Sequence, residues 1–388
     1  MSGQREGWKA LEGVKVWDLS MLLPGPFATQ ILADLGAEVL KVEAPGGDPA
    51  RYMPMEMFRM SNRNKSSLSI DLKAAGADSL VESLARWADI FVEGFRPGVV
   101  ERLGVSHERL SAINPRIIYC SISGYGQSGP WRDVPGHDLN YLAAGGAMSL
   151  CGHWLEPEPR RSGLPVADIG GSTFAAISIL SALLKREKTG RGCYIDVSLS
   201  DAALAFTALR RGLDTDEPGR RYLFPTNDLF RAADGRHISL GMVEEHFWQK
   251  FRKLFSDEAP VLLDPRFDDE PSRRANGDEL SGLIAALIAT RGSGDWVSFL
   301  SQHDIPVQLA FTPREAATSE QVRHRNLVHQ LDGESHIPFP VLVDGVPAGA
   351  ALRPAPSVGE DGREFLTGLG IDETNLAKLI SEGVVRLS

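Results

Sequence analysis

The chain has 388 residues, 43% hydrophobic and 24% charged, which suits a packed core and more than one lobe. Its 51 acidic and 41 basic side chains give a formal net charge of −10, which excludes the basic face expected of a nucleic-acid or anionic-membrane partner. An anionic ligand must then be held by local cations rather than by the field of the whole protein.

Residues 14–19 (VKVWDL) alternate and carry β-branched side chains, the pattern of a strand. Pro24-Gly25-Pro26 breaks it, and 27–35 then run at helical spacing to Gly36. The cycle repeats with a strand at 38–42, an extended segment at 67–70, a helix at 74–87, and strands at 90–92 and 116–121. A long apolar helix is predicted over 168–184 and a further strand over 193–198. Strands alternating with helices imply parallel βαβ units, so the predicted fold is α/β with a Rossmann-like doubly wound parallel sheet. The first turn, Leu22-Leu23-Pro24-Gly25-Pro26, lacks the GxGxxG pattern of a dinucleotide site.

Residues 210–221 are charged and punctuated by Gly and Pro, as in a linker. Beyond them, 224–317 carry a strand at 237–240 and helices at 244–255, 280–289 and 296–303. Residues 331–357 are proline-rich and extended, and a helix at 373–381 closes the chain. The expected organisation is a discontinuous large α/β lobe (1–205 plus 325–388), a linker (206–225) and a smaller α+β lobe (226–324).

Cys120, Cys151 and Cys193 are too scattered for a disulfide framework or a zinc knuckle, and the nine histidines form no HxH or HxxxH pair. No metal or cofactor is therefore expected. No stretch reads as the roughly 20 apolar residues of a membrane span. Residues 1–7 are polar, without the apolar run of a signal peptide, so the expected location is cytoplasmic.

Four further stretches stand out in chain order: LEGVKVWDLSMLLPGPFATQILADLGAEVLKVEAPGGDPAR, NRNKSSLSIDLK, FRPGVVERLG and GHDLNYLAAGG. Together with ILSALLKREKTGRG, they make the chain resemble the class III CoA-transferase and α-methylacyl-CoA racemase family (the CaiB/BaiF group) almost end to end. Taken singly, Asp168 before Gly-Gly-Ser is a helix cap, His137 a loop histidine and Glu244 a solvated helix start. The resemblance instead implies that Asp168 in PVADIGGS is the catalytic aspartate. It matches His137, followed by Tyr141, to the racemase histidine, and Glu244 to the carboxylate that braces it.

An acyl-CoA substrate follows from the same resemblance. Its contacts would fall on Leu22 and Leu23, on Ile70, Asp71, Leu72 and Lys73, on Gly94 and Phe95, and on Arg102, with Gly136, Asp138 and Tyr141 near the reacting end. Arg63 and Lys65 are candidate phosphate partners. Many relatives carry an arginine where this chain has Ala44, a contact that Lys41 or Arg51 would replace. Met148 and Trp154 are expected in the wall of the acyl pocket. Amide groups at the helix start near Asp168, or after His137, are candidates to meet an oxyanion.

Two chemistries share the scaffold. The histidine motif and Glu244 favour a racemase or epimerase of 2-methylacyl-CoA, with a place in fatty-acid metabolism. The alternative is a CoA-transferase working through an aspartyl-CoA thioester on Asp168. The two long connections, around 206–225 and 318–357, match those the family uses to thread two chains through each other, so the resemblance implies an interlocked homodimer, in which His137 and Asp168 of one chain meet Glu244 of the other.

Overall fold

The computed structural model of the chain describes residues 8–53, 56–151, 160–211, 224–349 and 352–388. Residues 1–7, Trp154 and most of the expected linker (212–223) lie outside the described residues. Two compact units form: Met1–Met148 with Ser162–Arg210 and Glu320–Ser388, and Ser149–Arg161 with Arg211–Ser319.

In the first unit, six strands are joined in parallel: β1 (Lys15–Leu19), β2 (Glu38–Glu43), β3 (Lys65–Ile70), β4 (Ile90–Glu93), β5 (Ile118–Ser123) and β6 (Cys193–Ser198). Their order across the sheet is β3-β2-β1-β4-β5-β6, and the short strand Val385–Arg386 pairs antiparallel with β3. Successive strand residues face opposite sides, so Val16 and Trp17 enter different cores although they are neighbours in β1. Trp17, Leu84 and Phe91 pack on one face, and Val16, Leu32 and Ile179 on the other, all fully buried. Each such side chain contributes about 1.5–3 kcal/mol by leaving water. The order reverses between β1 and β4, and the crevice beyond their carboxyl ends is where an open α/β sheet binds ligands.

Among the described residues, the helices around this sheet include α1 (Pro24–Asp34), α2 (Met57–Asn62), α3 (Ala77–Trp87), α4 (Val99–Arg102), α5 (His107–Ile113), α6 (Asp138–Ala144), α7 (Val166–Thr189) and α8 (Leu199–Arg211), with Gly362–Gly368 and Glu373–Ser381 packing into the Trp17 core. The Pro24-Gly25-Pro26 break is in fact the first turn of α1, because proline at the first helical position loses no hydrogen bond. Residues 206–211, assigned to a linker from sequence, continue α8. The expectation that no segment could span a bilayer is also corrected. Val166–Thr189 is long and apolar enough by length and composition, and here it packs against β5 and β6.

The second unit has a three-stranded antiparallel sheet of β7 (Asn227–Arg231), β8 (His237–Gly241) and β9 (Val307–Leu309). Helices α9 (Glu245–Leu254), α10 (Glu270–Ala275), α11 (Gly277–Ile288) and α12 (Ser293–Gln302) accompany it, around a core that includes Trp248, Phe251, Phe255 and Trp296.

Candidate active site

A cavity of about 370 Å³ opens at the carboxyl ends of β1, β2 and β3, beside the turn after β4. Ser20 and Met21, Ala44, Pro45 and Gly47, Ile70 to Lys73, and Phe95 are among the residues that line it. Four of the residues predicted for ligand contact, Ile70, Asp71, Leu72 and Lys73, form one continuous wall, and Phe95 closes another side. Leu22 and Leu23 follow directly on the lining residues 20–21, and Gly94 lies against Ser20 and Met21. The lining is mostly apolar, so charge must be met at the rim. Lys73, Arg96 and Arg102 are exposed, and none has an ion pair among the described residues.

Asp168 lies in the first turn of α7, half-buried. Burial and the nearby Asp138 carboxylate push its pKa up to about 7. Asp138, the first residue of α6, turns its carboxylate away from its own helix. Its Oδ1 accepts hydrogen bonds from the amides of Ala167 (2.8 Å) and Asp168 (3.1 Å), capping α7 from outside. The two helix starts are thereby tied together, which brings His137, the N-cap of α6, into the neighbourhood of Asp168.

His137 is exposed, and its amide donates to Asn140 Oδ1 (3.0 Å). Tyr141 is buried with its hydroxyl donating to the Gly136 carbonyl. A Cβ at Gly136 would lie 2.7 Å from the Tyr141 ring, so the close approach requires glycine there. Burial first and the Asp168 charge second raise the Tyr141 pKa to about 12, so it stays a neutral hydroxyl. In the second unit, Glu244 is the exposed N-cap residue of α9.

Several expectations are corrected. Lys65 is fully buried: its Nζ donates to Asp18 Oδ2 (3.0 Å), Pro26 O, Thr29 Oγ1 and Asn62 Oδ1, which leaves nothing for a phosphate. Arg63 is likewise interior, paired with Asp34 at 2.6 Å and donating to the carbonyls of Met60 and Ile337. Lys41 is fully buried against Asp48, and Arg51 is committed to Glu43 and to the Pro356 carbonyl, so neither replaces the arginine absent at Ala44. The α7 amides are also occupied, those of Ala167 and Asp168 by Asp138 and that of Ile169 by Pro165 O. Among the described residues, the amides of Asp138 and Leu139 at the start of α6 have no hydrogen-bond acceptor.

The model of CoA-transferase family III matches residues 11–362. The chain belongs to CoA-transferase family III. Its curated relatives include an acetyl-CoA:oxalate CoA-transferase of Acetobacter aceti, 35% identical over 90% of this chain and 93% of that one. Human α-methylacyl-CoA racemase is 30% identical over 97% of each chain. Among solved structures, Rv3272 of Mycobacterium tuberculosis superposes with a TM-score of 0.83 at 31% identity, covering 93% of this chain and 100% of that one.

For this member of family III, sequence reading missed two residues. Arg96 stands in FRPG beside the predicted Phe95, and its charge is felt by Tyr141. Glu93 ends β4 almost fully buried, accepting from the Phe95 amide at 2.8 Å. Strand position signals Glu93: a carboxylate closing a central parallel strand must find donors or stay neutral.

Proposed function

We propose that this chain is a 2-methylacyl-CoA racemase that exchanges the α-proton between Asp168 and His137. As a member of family III it is an acyl-CoA enzyme, either a racemase or a CoA-transferase. The observation that carries the choice is the Asp168 carboxyl, poised at about 7 and joined through Asp138 to the helix that His137 caps. A thioester α-carbon is weakly acidic, so a base near neutral pKa is what its abstraction needs. The Asp168 carboxylate takes the proton from one face, the C–H pair becomes the enolate, and the His137 imidazolium returns a proton to the other face. The enolate oxygen is met by the Asp138 and Leu139 amides, which hold no other bond among the described residues.

Coenzyme A occupies the cavity in this reading. Ile70 to Lys73 and Phe95 line it, Leu22, Leu23 and Gly94 adjoin its lining residues, and the exposed cations Lys73, Arg96 and Arg102 are assigned to its phosphates. Gly136 and Tyr141 shape the acyl end, next to Met148. The enzyme is an interlocked cytoplasmic homodimer, in which Glu244 of the second chain braces His137, and it needs neither metal nor resident cofactor. An apolar stripe on α7 supports the dimer: Phe174, Ile177 and Leu184 are 38%, 52% and 70% exposed, on one helical face.

The second reading, CoA transfer, is supported by the 35% identity to the Acetobacter aceti transferase. There an Asp168 oxygen bonds to the acyl carbon and CoA leaves as thiolate. The thiolate then attacks the Asp168 carbonyl, frees the donor acid and leaves an aspartyl-CoA thioester for the acceptor. One experiment separates the two. A single 2-methylacyl-CoA epimer is incubated in D₂O without acceptor acid. Scrambling with deuterium uptake is expected. Absence of both, with transfer appearing on addition of a carboxylic acid and hydroxylamine inactivation only after donor thioester, establishes the transferase instead.

A further inference from the structure

We propose that Asp48, clamped by Lys41, is a positioning residue that holds Leu22 in a left-handed backbone conformation and so shapes the turn at the mouth of the cavity. The inference rests on the reading that an acyl-CoA thioester binds there.

Leu22 has φ of 65°, a conformation in which its Cβ crowds the following carbonyl. Such an outlier persists only where its surroundings hold it. Two buried side chains hold this one. Asp48 Oδ1 accepts from the Leu22 amide at 3.1 Å and from the Ala50 amide at 2.9 Å. Lys41 Nζ donates to Ser20 O at 3.0 Å and faces Asp48 Oδ2 at 2.9 Å, both side chains fully shielded from water. Behind them, Glu43 Oε2 accepts from the Asp48 amide at 2.9 Å and is itself gripped by Arg51.

Burying an ammonium and a carboxylate costs desolvation, and apolar residues of similar volume often serve stability as well. The pair is therefore poorly explained by stability alone. What it uniquely supplies is an acceptor for Leu22 N–H and a donor for Ser20 O, on either side of Met21 in the cavity wall. The turn is pressed onto α1, since a Cβ at Gly25 would lie 2.1 Å from Ser20 Cβ. The start of α1 in turn meets the α7 helix: Ser172 Oγ, one helical turn past Asp168, lies 2.7 Å from Pro24 O and 2.6 Å from Asp168 O, its one hydroxyl proton shared between these two carbonyls. A shift of the 20–22 turn thus displaces the cavity wall and the support of Asp168 together, and small displacements are costly for a reacting geometry.

Glycine takes φ near +65° without strain, which gives a test that a general structural role does not meet. Acyl-CoA turnover is measured first on the parent protein; no turnover there refutes the acyl-CoA reading itself. With the parent active, Asp48→Ala is expected to raise KM about tenfold or more at retained far-UV CD. Leu22→Gly alone sets the reference, since it also removes a side chain at the cavity mouth; in that background Asp48→Ala is expected to change KM by less than about threefold, because the turn no longer needs its anchor. An Asp48→Ala protein with parental KM, or one whose defect Leu22→Gly leaves untouched, overturns the inference. If Asp48→Ala does not fold, Asp48→Asn decides, since it keeps an acceptor for Leu22 N–H while losing the charge opposite Lys41. A KM within about threefold of the parent is expected; a rise of about tenfold assigns Asp48 to balancing Lys41 alone and removes the positioning role.

Discussion

Asp168 combines two features that usually exclude each other, a place in the first turn of a helix and a raised pKa. The helix dipole favours its anion, but burial and Asp138 outweigh that, so about half the molecules carry it ionised near pH 7. Deuterium exchange into a 2-methylacyl-CoA should rise with pH with a midpoint near 7, and Asp168→Asn should lower it by about 10² or more. The same carboxyl makes a stability statement. Its folded pKa lies above the ordinary 3.8, so the folded state binds the extra proton and loses stability as pH rises from 3.8 to 7. Asp168→Asn should therefore melt higher than the parent at pH 8 and close to it at pH 4. Glu93 behaves alike. Burial first, then the Glu101 and Asp196 charges, raise it to about 7 against the pull of its bonds to Ser121 and the Phe95 amide. Glu93→Gln, which mimics the protonated form, should raise Tm at pH 8 and change it little at pH 4. A uniform drop at both would show that the carboxylate is needed charged.

At the level of elements, the join between α6 and α7 is a single side chain. Asp138 Oδ1 supplies the cap that α7 lacks within its own sequence, where Pro165 precedes the helix and no side chain bonds the first turn. The cap also explains part of the Asp168 pKa, since the capping group is itself an anion. Cap and charge can be separated. Asp138→Asn keeps the acceptor and removes the charge, so Tm should stay close to the parent while the exchange midpoint moves below 7. Asp138→Ala removes both and should cost about 1 kcal/mol in addition. If Asp138→Asn leaves the midpoint in place, burial alone sets the Asp168 pKa.

Across the whole molecule, most of what was legible in the sequence lies in the central sheet. Strands buried on both faces read as short apolar runs, and β6 and the helix Glu373–Ser381 fall where periodicity puts them. The small strands β7 and β9 were not legible, because NDLFR and VQL are too short and too polar to show a period. Cations were the weakest part. Lys65 and Arg63 in NRNK look like surface charge, and nothing local reveals that Asp18 and Asp34, far off in the chain, draw them inside. The proposed dimer belongs to this scale too. If Glu244 serves His137 across chains, Asp168→Asn and Glu244→Gln expressed together should recover activity that neither shows alone. Random pairing with one intact site per mixed dimer predicts about a quarter of the parental rate. No recovery on mixing would mean that each chain completes its own site.

The last residues of the chain are not a loose end. Val385 and Arg386 pair with Ile70 and Ser69, and the Asp71 amide donates to Val384 O at 2.9 Å, so the Ile70–Asp71 edge of the cavity is splinted by this short strand. Arg386→Pro, which breaks this pairing at an exposed residue, should loosen ligand retention before it touches the hydrophobic interior, and a tightly held thioester should slow hydrogen exchange at the Asp71 amide.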